Sequence, residues 1–342
     1  MTITTIGIDL GKNKMHMIGL DEGGHVVERR VFASRTALIR YLSRQTPARV
    51  AMEACAGAHY VGRKAEALGH DARLLPGQYV RGYVKSQKND YADAEAIAEA
   101  ATRPTMRHVP IKEVSQQELQ LLHRQRQGWV GQRTETANRI RAVLLEFGIT
   151  IPKGLHQLRR ELPFVLEDHD NGLPDRTRQL LYTLWRDLLE LHERVDWITA
   201  EFQRTAEQDP RARSLLGIPG IGPVIATALV AAVGDARAFR RGRDLAAWLG
   251  IVPRQHSTGG KTRLLGISKQ GNSYLRSLLI HGARALVRHA ARRTDALGCW
   301  IARLQERKPI NVVTVALANK LARAACVVLH RQEPFRAEAL VN

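Results

Sequence analysis

The sequence predicts a mixed chain. It has an α/β domain first, a long helical coiled-coil middle, and a helical C-terminal domain. Three observations carry this reading. Short runs rich in Ile, Val and Met alternate with helical patterns through the first hundred residues. Residues 181–202 carry a heptad of apolar side chains. The positive charge is unevenly spread: the chain has 342 residues and a net charge of +19. Residues 1–104 hold 15 Lys and Arg against 11 Asp and Glu, and residues 105–204 hold 15 against 14. Residues 205–342 hold 22 against 8, a net of +14. So basic a segment usually meets nucleic acid or an anionic surface.

The elements follow in order. TIGIDL, KMHMIGL and HVVERRVF are three strands parted by Gly-Lys-Asn and Asp-Glu-Gly-Gly turns. SRTALIRYLSRQ is a helix with a Ser cap, and ARVAMEA is a fourth strand. HYVGRKAEALG is a helix closed by Gly69, DARLLP is a fifth strand, and DYADAEAIAEAA is a strong helix. The order βββαβαβα is that of an RNase H-like domain, placed at 1–105. Residues 106–204 form the helical linker and dimerisation region. A helix is expected over 115–147, and Pro152, Pro163 and Pro174 punctuate the connection to the heptad of Leu181, Leu184, Leu188, Leu191, Val195, Ile198 and Phe202. The period fits an intramolecular hairpin and an intermolecular coiled coil equally. Residues 205–342 open with LLGIPGIGPVIATALVAAVGD, a helix-hairpin-helix pattern whose Gly220 and Gly222 would admit a DNA phosphate to backbone N–H groups. A helix (DLAAWLG), a basic loop and two further helices complete the chain.

Composition excludes several classes. An apolar content of 44% rules out wholesale disorder. Cys55, Cys299 and Cys326 show no metal spacing and no paired framework, which fits a reducing cytoplasm. MTITTIGIDL lacks the charged and apolar regions of a signal peptide. The apolar run VVTVALANKLARAACVVL contains Asn319, Lys320 and Arg323, so a globular helix rather than a membrane span is expected.

Chemistry concentrates in two places. Asp9 ends the first strand in GIDLGK, Glu53 ends the fourth in AMEACAG, and Asp90 and Asp93 share one helix face at i and i+3. In an RNase H-like sheet the first and fourth strands are neighbours, and a later helix crosses their ends. Four acids would then converge. Like charges that close need cations, and hard oxygen donors suit Mg2+ or Mn2+. Two such ions can activate an attacking oxygen and steady a leaving one in phosphoryl transfer. Taken singly, each acid is also an ordinary cap or strand-end residue. The second place is RQHSTGGKTRLLGISKQGNSYLR, residues 254–276, with no acidic residue. Arg254, Lys261, Arg263, Lys269 and Arg276 would clamp phosphates, and Gly259 and Gly260 would permit close approach. Lys12 joins them beside Asp9. GIDLGK also resembles the first phosphate loop of actin-like ATPases, but no second Gly-rich phosphate loop follows.

GIDLGK, MEACAG, KNDYADAEAIAEA, GIPGIGPVIATAL and WLGIVPRQHSTGGKTRLLGISKQGNSYLRSLLIHGARA together resemble the DEDD transposases of bacterial insertion sequences of the "one-ten" type, "eleven-eleven" subgroup. The resemblance covers nearly the whole length. It implies a RuvC-like N-terminal domain, similar to Holliday-junction resolvases. It also implies a C-terminal transposase domain and a recombinase guided by a structured non-coding (bridge) RNA that pairs with target and donor double-stranded DNA. Its catalytic set maps onto Asp9, Glu53, Asp90, Asp93 and a serine in HSTGG. The family often has two adjacent serines where this chain has Ser257-Thr258, and Ser257 is chosen. The acids and Ser257 lie in different domains, joined either by folding across the helical middle or by a homodimer with Ser257 supplied in trans; the second is preferred because the heptad offers a dimer contact, and the resemblance implies a homotetramer made of two dimers. The resemblance also implies a setting in the bacterial cytoplasm, at the nucleoid. His256 as general base and Tyr274 as nucleophile are weaker readings, since His256 would face away in a strand and Tyr274 sits in an amphipathic helix. Two other functions compete: a metal-dependent junction nuclease using water, and a non-catalytic architectural DNA-binding protein.

Overall fold

A computed structural model describes residues 2–85, 89–234 and 236–335. Two compact units divide the chain, 1–114 and 115–342.

The first unit is a five-stranded sheet with helices on both faces. Its strands are β1 (Thr5–Leu10), β2 (Met15–Leu20), β3 (Val26–Phe32), β4 (Arg49–Glu53) and β5 (Asp71–Leu75), in the spatial order β3-β2-β1-β4-β5. β1 pairs antiparallel with β2 and parallel with β4. This mixed sheet is consistent with the RNase H-like expectation. The side-chain period of two sorts residues between the faces. Ile6, Ile8, Met15, Met17, Val50 and Met52 face one way, onto α1 (Arg35–Leu42) and α2 (Ala58–Ala67). Ser34 caps α1 by accepting from the Ala37 N–H at 3.1 Å, and Gly69 follows α2 with φ +85°. The other face carries Gly7 and Asp9 of β1, Ala51 and Glu53 of β4, and His16 and Ile18 of β2. On it lies α4 (Asp90–Thr102). This helix presents Ala94, Ala96, Ala98, Ala100 and Ala101 to the core, all buried. Small residues let it sit close: a Cβ built on Gly7 falls 2.6 Å from both Ala98 Cβ and Ala98 N, and nearer still to the Ala94 carbonyl oxygen. A short helix, α3 (Gly77–Val80), follows β5 and had no signal in the sequence.

The second unit is helical apart from one β-hairpin. α5 (Val114–Glu146) and α7 (Asp175–Gln208) run antiparallel, with α6 (Leu155–Glu167) between them in sequence. Arg126 Nε donates to Thr199 Oγ1 at 3.2 Å, and Leu181, Leu184 and Leu188 cluster with Ala137, Ile140 and Leu144. All seven heptad residues are buried within this one chain. The seam is therefore an intramolecular hairpin, and the expectation that it forms the dimer contact is corrected: its apolar face is already covered. Pro163 lies inside α6 rather than between elements.

The remaining helices pack around α13 (Ile310–Arg331), whose Val313, Leu317, Leu321, Ala325 and Leu329 form the centre of the core. By length and composition α13 could cross a membrane; here it packs against α8 (Pro210–Leu216), α10 (Gly242–Trp248), α11 (Ser273–Arg288) and α12 (Ala296–Gln305). α12 was not expected. α9 (Pro223–Val233) follows α8 across GIPGIG, as the two-helix pattern anticipated. The expected basic loop is a β-hairpin instead, β6 (Pro253–Thr258) and β7 (Lys261–Ile267). Gly259 and Gly260 form its two-residue turn with φ +56° and +75°, the geometry that only glycine adopts without strain at both positions.

Candidate active site

The four acids are brought to one end of the α4-covered face by register and by capping. β1 and β4 end side by side in parallel, so Asp9 and Glu53 emerge at the same edge. The Asn89 side chain caps α4 by accepting from the Tyr91 N–H at 3.0 Å. Asp90 and Asp93 therefore occupy its first turn without serving as the cap.

The electrostatics report how near they are. Burial pushes the Glu53 carboxyl above its ordinary range, the charges of Asp9 and Asp93 push it further, and Arg81 pulls it back. Burial, then Glu53 and Asp9, raise the neighbouring Cys55 thiol. Ligand atoms of Asp9, His16 and Asp90 lie within 4.8 Å of one another. His16 Nδ1 is 3.5 Å from Asp90 Oδ2. Repelling carboxylates with hard oxygen donors suit a divalent cation, so the donor set fits one. His16 and Arg81 escaped the sequence reading. The only trace of His16 was its place on the second strand, where pairing with Asp9 needs the register.

Ser257 lies on the exposed hairpin of the second unit, where its Oγ accepts a hydrogen bond from Gln255 Nε2 at 2.7 Å. His256 alternates to the opposite face of β6 and pairs in register with Arg263. Arg254, Lys261, Arg263 and Lys269 are all exposed, as is Lys12 on the β1–β2 turn of the first unit. A Cβ on Gly259 or Gly260 meets nothing within 4 Å, so these two glycines serve the turn and leave open space beside it. Arg276 does structural work: its Nη1 donates to the Leu249 and Gln270 carbonyls at 2.8 and 2.9 Å and ties down the base of the hairpin. Gly220 has φ +82° and packs against Leu286 and the Gly282 carbonyl of α11, whereas Gly222 caps α9 and a Cβ built on it meets nothing within 4 Å. The Tyr274 hydroxyl lies 3.0 Å from Nδ1 of the buried His123, and burial raises its pKa. It is a partly buried residue packed against the core.

Comparison with known proteins decides the family. Residues 212–297 match the model described as "Transposase IS116/IS110/IS902 family", and residues 6–149 match a DEDD model of the same group, described as "Transposase". A "Probable family 20 transposase" of Pseudomonas aeruginosa is 46% identical over 98% of this chain and 99% of its own length. The chain belongs to the IS110 family of insertion-sequence transposases. This transposase is also 41% identical to the "Transposase for insertion sequence element IS1111A" of Coxiella burnetii, over 98% of this chain and 92% of that one. It is 43% identical to the IS1328 transposase of Yersinia enterocolitica, over 95% and 96%. The transposase is thus a DNA-processing enzyme of phosphoryl transfer, and a DEDD domain implies a divalent metal.

Proposed function

We propose that this transposase is an RNA-guided recombinase that exchanges DNA strands through a covalent phosphoserine on Ser257. The observation that carries the chemical half is the convergence of Asp9, Glu53, Asp90 and Asp93 at one sheet edge. In this reading the four acids hold Mg2+, or Mn2+, which when bound supplies positive charge for the phosphate and the departing oxygen. The division into RuvC-like domain 1–105, helical middle 106–204 and transposase domain 205–342 with a helix-hairpin-helix belongs to the same proposal.

Ser257 Oγ forms a bond to phosphorus as the bond to the 3′ oxygen breaks. The serine proton ends, net, on that oxygen, leaving a free 3′ hydroxyl and a 5′ phosphoserine. A 3′ hydroxyl from another strand then displaces the serine, so the phosphodiester is conserved without ATP. The hydrogen bond from Gln255 fixes the Ser257 hydroxyl before attack. Lys261, Arg263, Arg254 and Lys269 neutralise flanking phosphates, joined by Lys12, by Gly220 and Gly222 at the α8–α9 turn, and by the nitrogens of Arg276 not spent on carbonyls. Gly259 and Gly260 leave room for the backbone of the strand. Ser257 acts in trans within a homodimer, two of which form a tetramer, through a contact other than the heptad seam. The partners are donor and target double-stranded DNA and a structured guide RNA, in the cytoplasm at the nucleoid, with no membrane involved.

Two measurements test the proposal. Asp9→Asn should stop strand cleavage and leave DNA binding nearly intact; cleavage that survives it refutes the acidic site. Sequencing of copurified nucleic acid should return one structured RNA from the element; its absence refutes the guide.

A further inference from the structure

We propose that His16 is a nitrogen ligand of the divalent ion held by Asp9 and Asp90, a donor lying outside the four-acid motif. This rests on the reading of those acids as metal ligands.

Three independent features place the ring. The register of β1 and β2 sets His16 directly opposite Asp9, so both side chains rise from the same face of the sheet. From the other side, α4 brings Asp90, whose Oδ2 lies 3.5 Å from His16 Nδ1. The imidazole is held as well: its side chain is 15% exposed, and it meets the Tyr91 ring edge-on at 5.1 Å. The Nδ1 edge therefore faces the carboxylates.

The distances suit shared coordination. With bonds of about 2.1 Å, adjacent ligands of an octahedral ion stand about 3 Å apart and opposite ones about 4.2 Å. Ligand atoms of Asp9, His16 and Asp90 already fall within 4.8 Å of one another. A small contraction brings them to one ion. The consequence is selectivity. An imidazole nitrogen favours Mn2+ over Mg2+ more than an all-oxygen set does, because the softer, later ion gains more from nitrogen. The bound-ion preference of this transposase is therefore tuned by a side chain on β2.

The test uses the full chain loaded with Mn2+. Pulsed EPR should detect coupling to a directly bound 14N in the wild type. His16→Gln should lose that coupling and bind Mn2+ about tenfold more weakly. His16→Asp, which restores an oxygen donor, should bind Mn2+ without the nitrogen signal and with a smaller preference for Mn2+ over Mg2+ in calorimetry. Bound Mn2+ without 14N coupling, or coupling unchanged in His16→Gln, overturns the proposal and reduces His16 to an ion-pair partner of Asp90. Asp9→Asn separates the two levels. If it abolishes Mn2+ binding while the nitrogen signal is missing in the wild type, the acidic site stands and only His16 falls. If Mn2+ binding survives Asp9→Asn, the acidic site itself falls.

Discussion

Gly7→Ala tests how the site is assembled without touching any acid. Gly7 lies two residues before Asp9 on the face that α4 covers. An added Cβ would lie 2.6 Å from Ala98 Cβ, where ordinary contact begins at 3.4 Å. The helix must retreat by about 0.8 Å, and by more at the Ala94 carbonyl. That retreat carries Asp90 and Asp93 away from Asp9 and Glu53. Overpacking of this kind costs about 1–3 kcal/mol of stability. A displacement near 1 Å in a positioned constellation costs about 10²-fold in rate. Thermal unfolding reads the first, and single-turnover cleavage of element-end DNA at saturating Mg2+ reads the second. The expected variant is folded at 25 °C, melts lower, binds DNA as the wild type does, and cleaves about a hundredfold more slowly. A variant that melts lower yet cleaves at the wild-type rate refutes the claim that close α4 packing sets the site.

Three further outcomes follow from the second unit. His123 is buried, stacks on Phe202 at 4.0 Å and lies 3.0 Å from both Tyr274 Oη and Thr227 Oγ1. Burial and then Arg126 lower its pKa to about 3, so acid protonates the unfolded chain first. Stability is present above pH 6.5 and lost as pH falls toward 3, by about 1.4 kcal/mol at pH 5.5; denaturant titrations of His123→Gln should show a flatter acid limb, and an unchanged limb contradicts the assignment. Leu188→Ala in the hairpin core should cost about 2–5 kcal/mol and leave the oligomeric mass by light scattering unchanged. Loss of the oligomer at unchanged monomer stability would restore the seam as a dimer contact. The double variant Lys261→Ala, Arg263→Ala should reduce the slope of log K against log salt by about 2 in DNA-binding titrations. An unaltered slope removes the hairpin from the nucleic-acid surface.

The first unit was legible because β1, β2 and β4 are well buried and α1, α2 and α4 are bounded by residues with local signals, Ser34, Gly69 and Asn89, whereas the short α3 has none. Alternation then fixed which side of β1 and β4 carries Asp9 and Glu53. His16 was hidden because its role depends on a cross-strand partner, and register is a non-local property. The heptad of α7 announced burial, but an apolar period does not say which surface covers it; only the meeting with Ala137, Ile140 and Leu144 settles that. The β6–β7 hairpin was missed for the opposite reason. β6 is exposed on both faces, and so is most of β7, so no apolar alternation marks the strands. The Gly259-Gly260 pair was the one available sign of a two-residue turn. Pro163 misled because proline usually ends a helix, whereas α6 continues through it.

The proposed strand exchange requires a covalent bond between Ser257 and DNA. The direct measurement is denaturing electrophoresis of the full chain with its copurified RNA, Mg2+ and labelled element-end DNA, followed by peptide mass spectrometry of the retarded band. The expected result is a protein–DNA adduct carried by Ser257 and absent from Ser257→Ala. Cleaved DNA with no adduct, or an adduct on another residue, would contradict it.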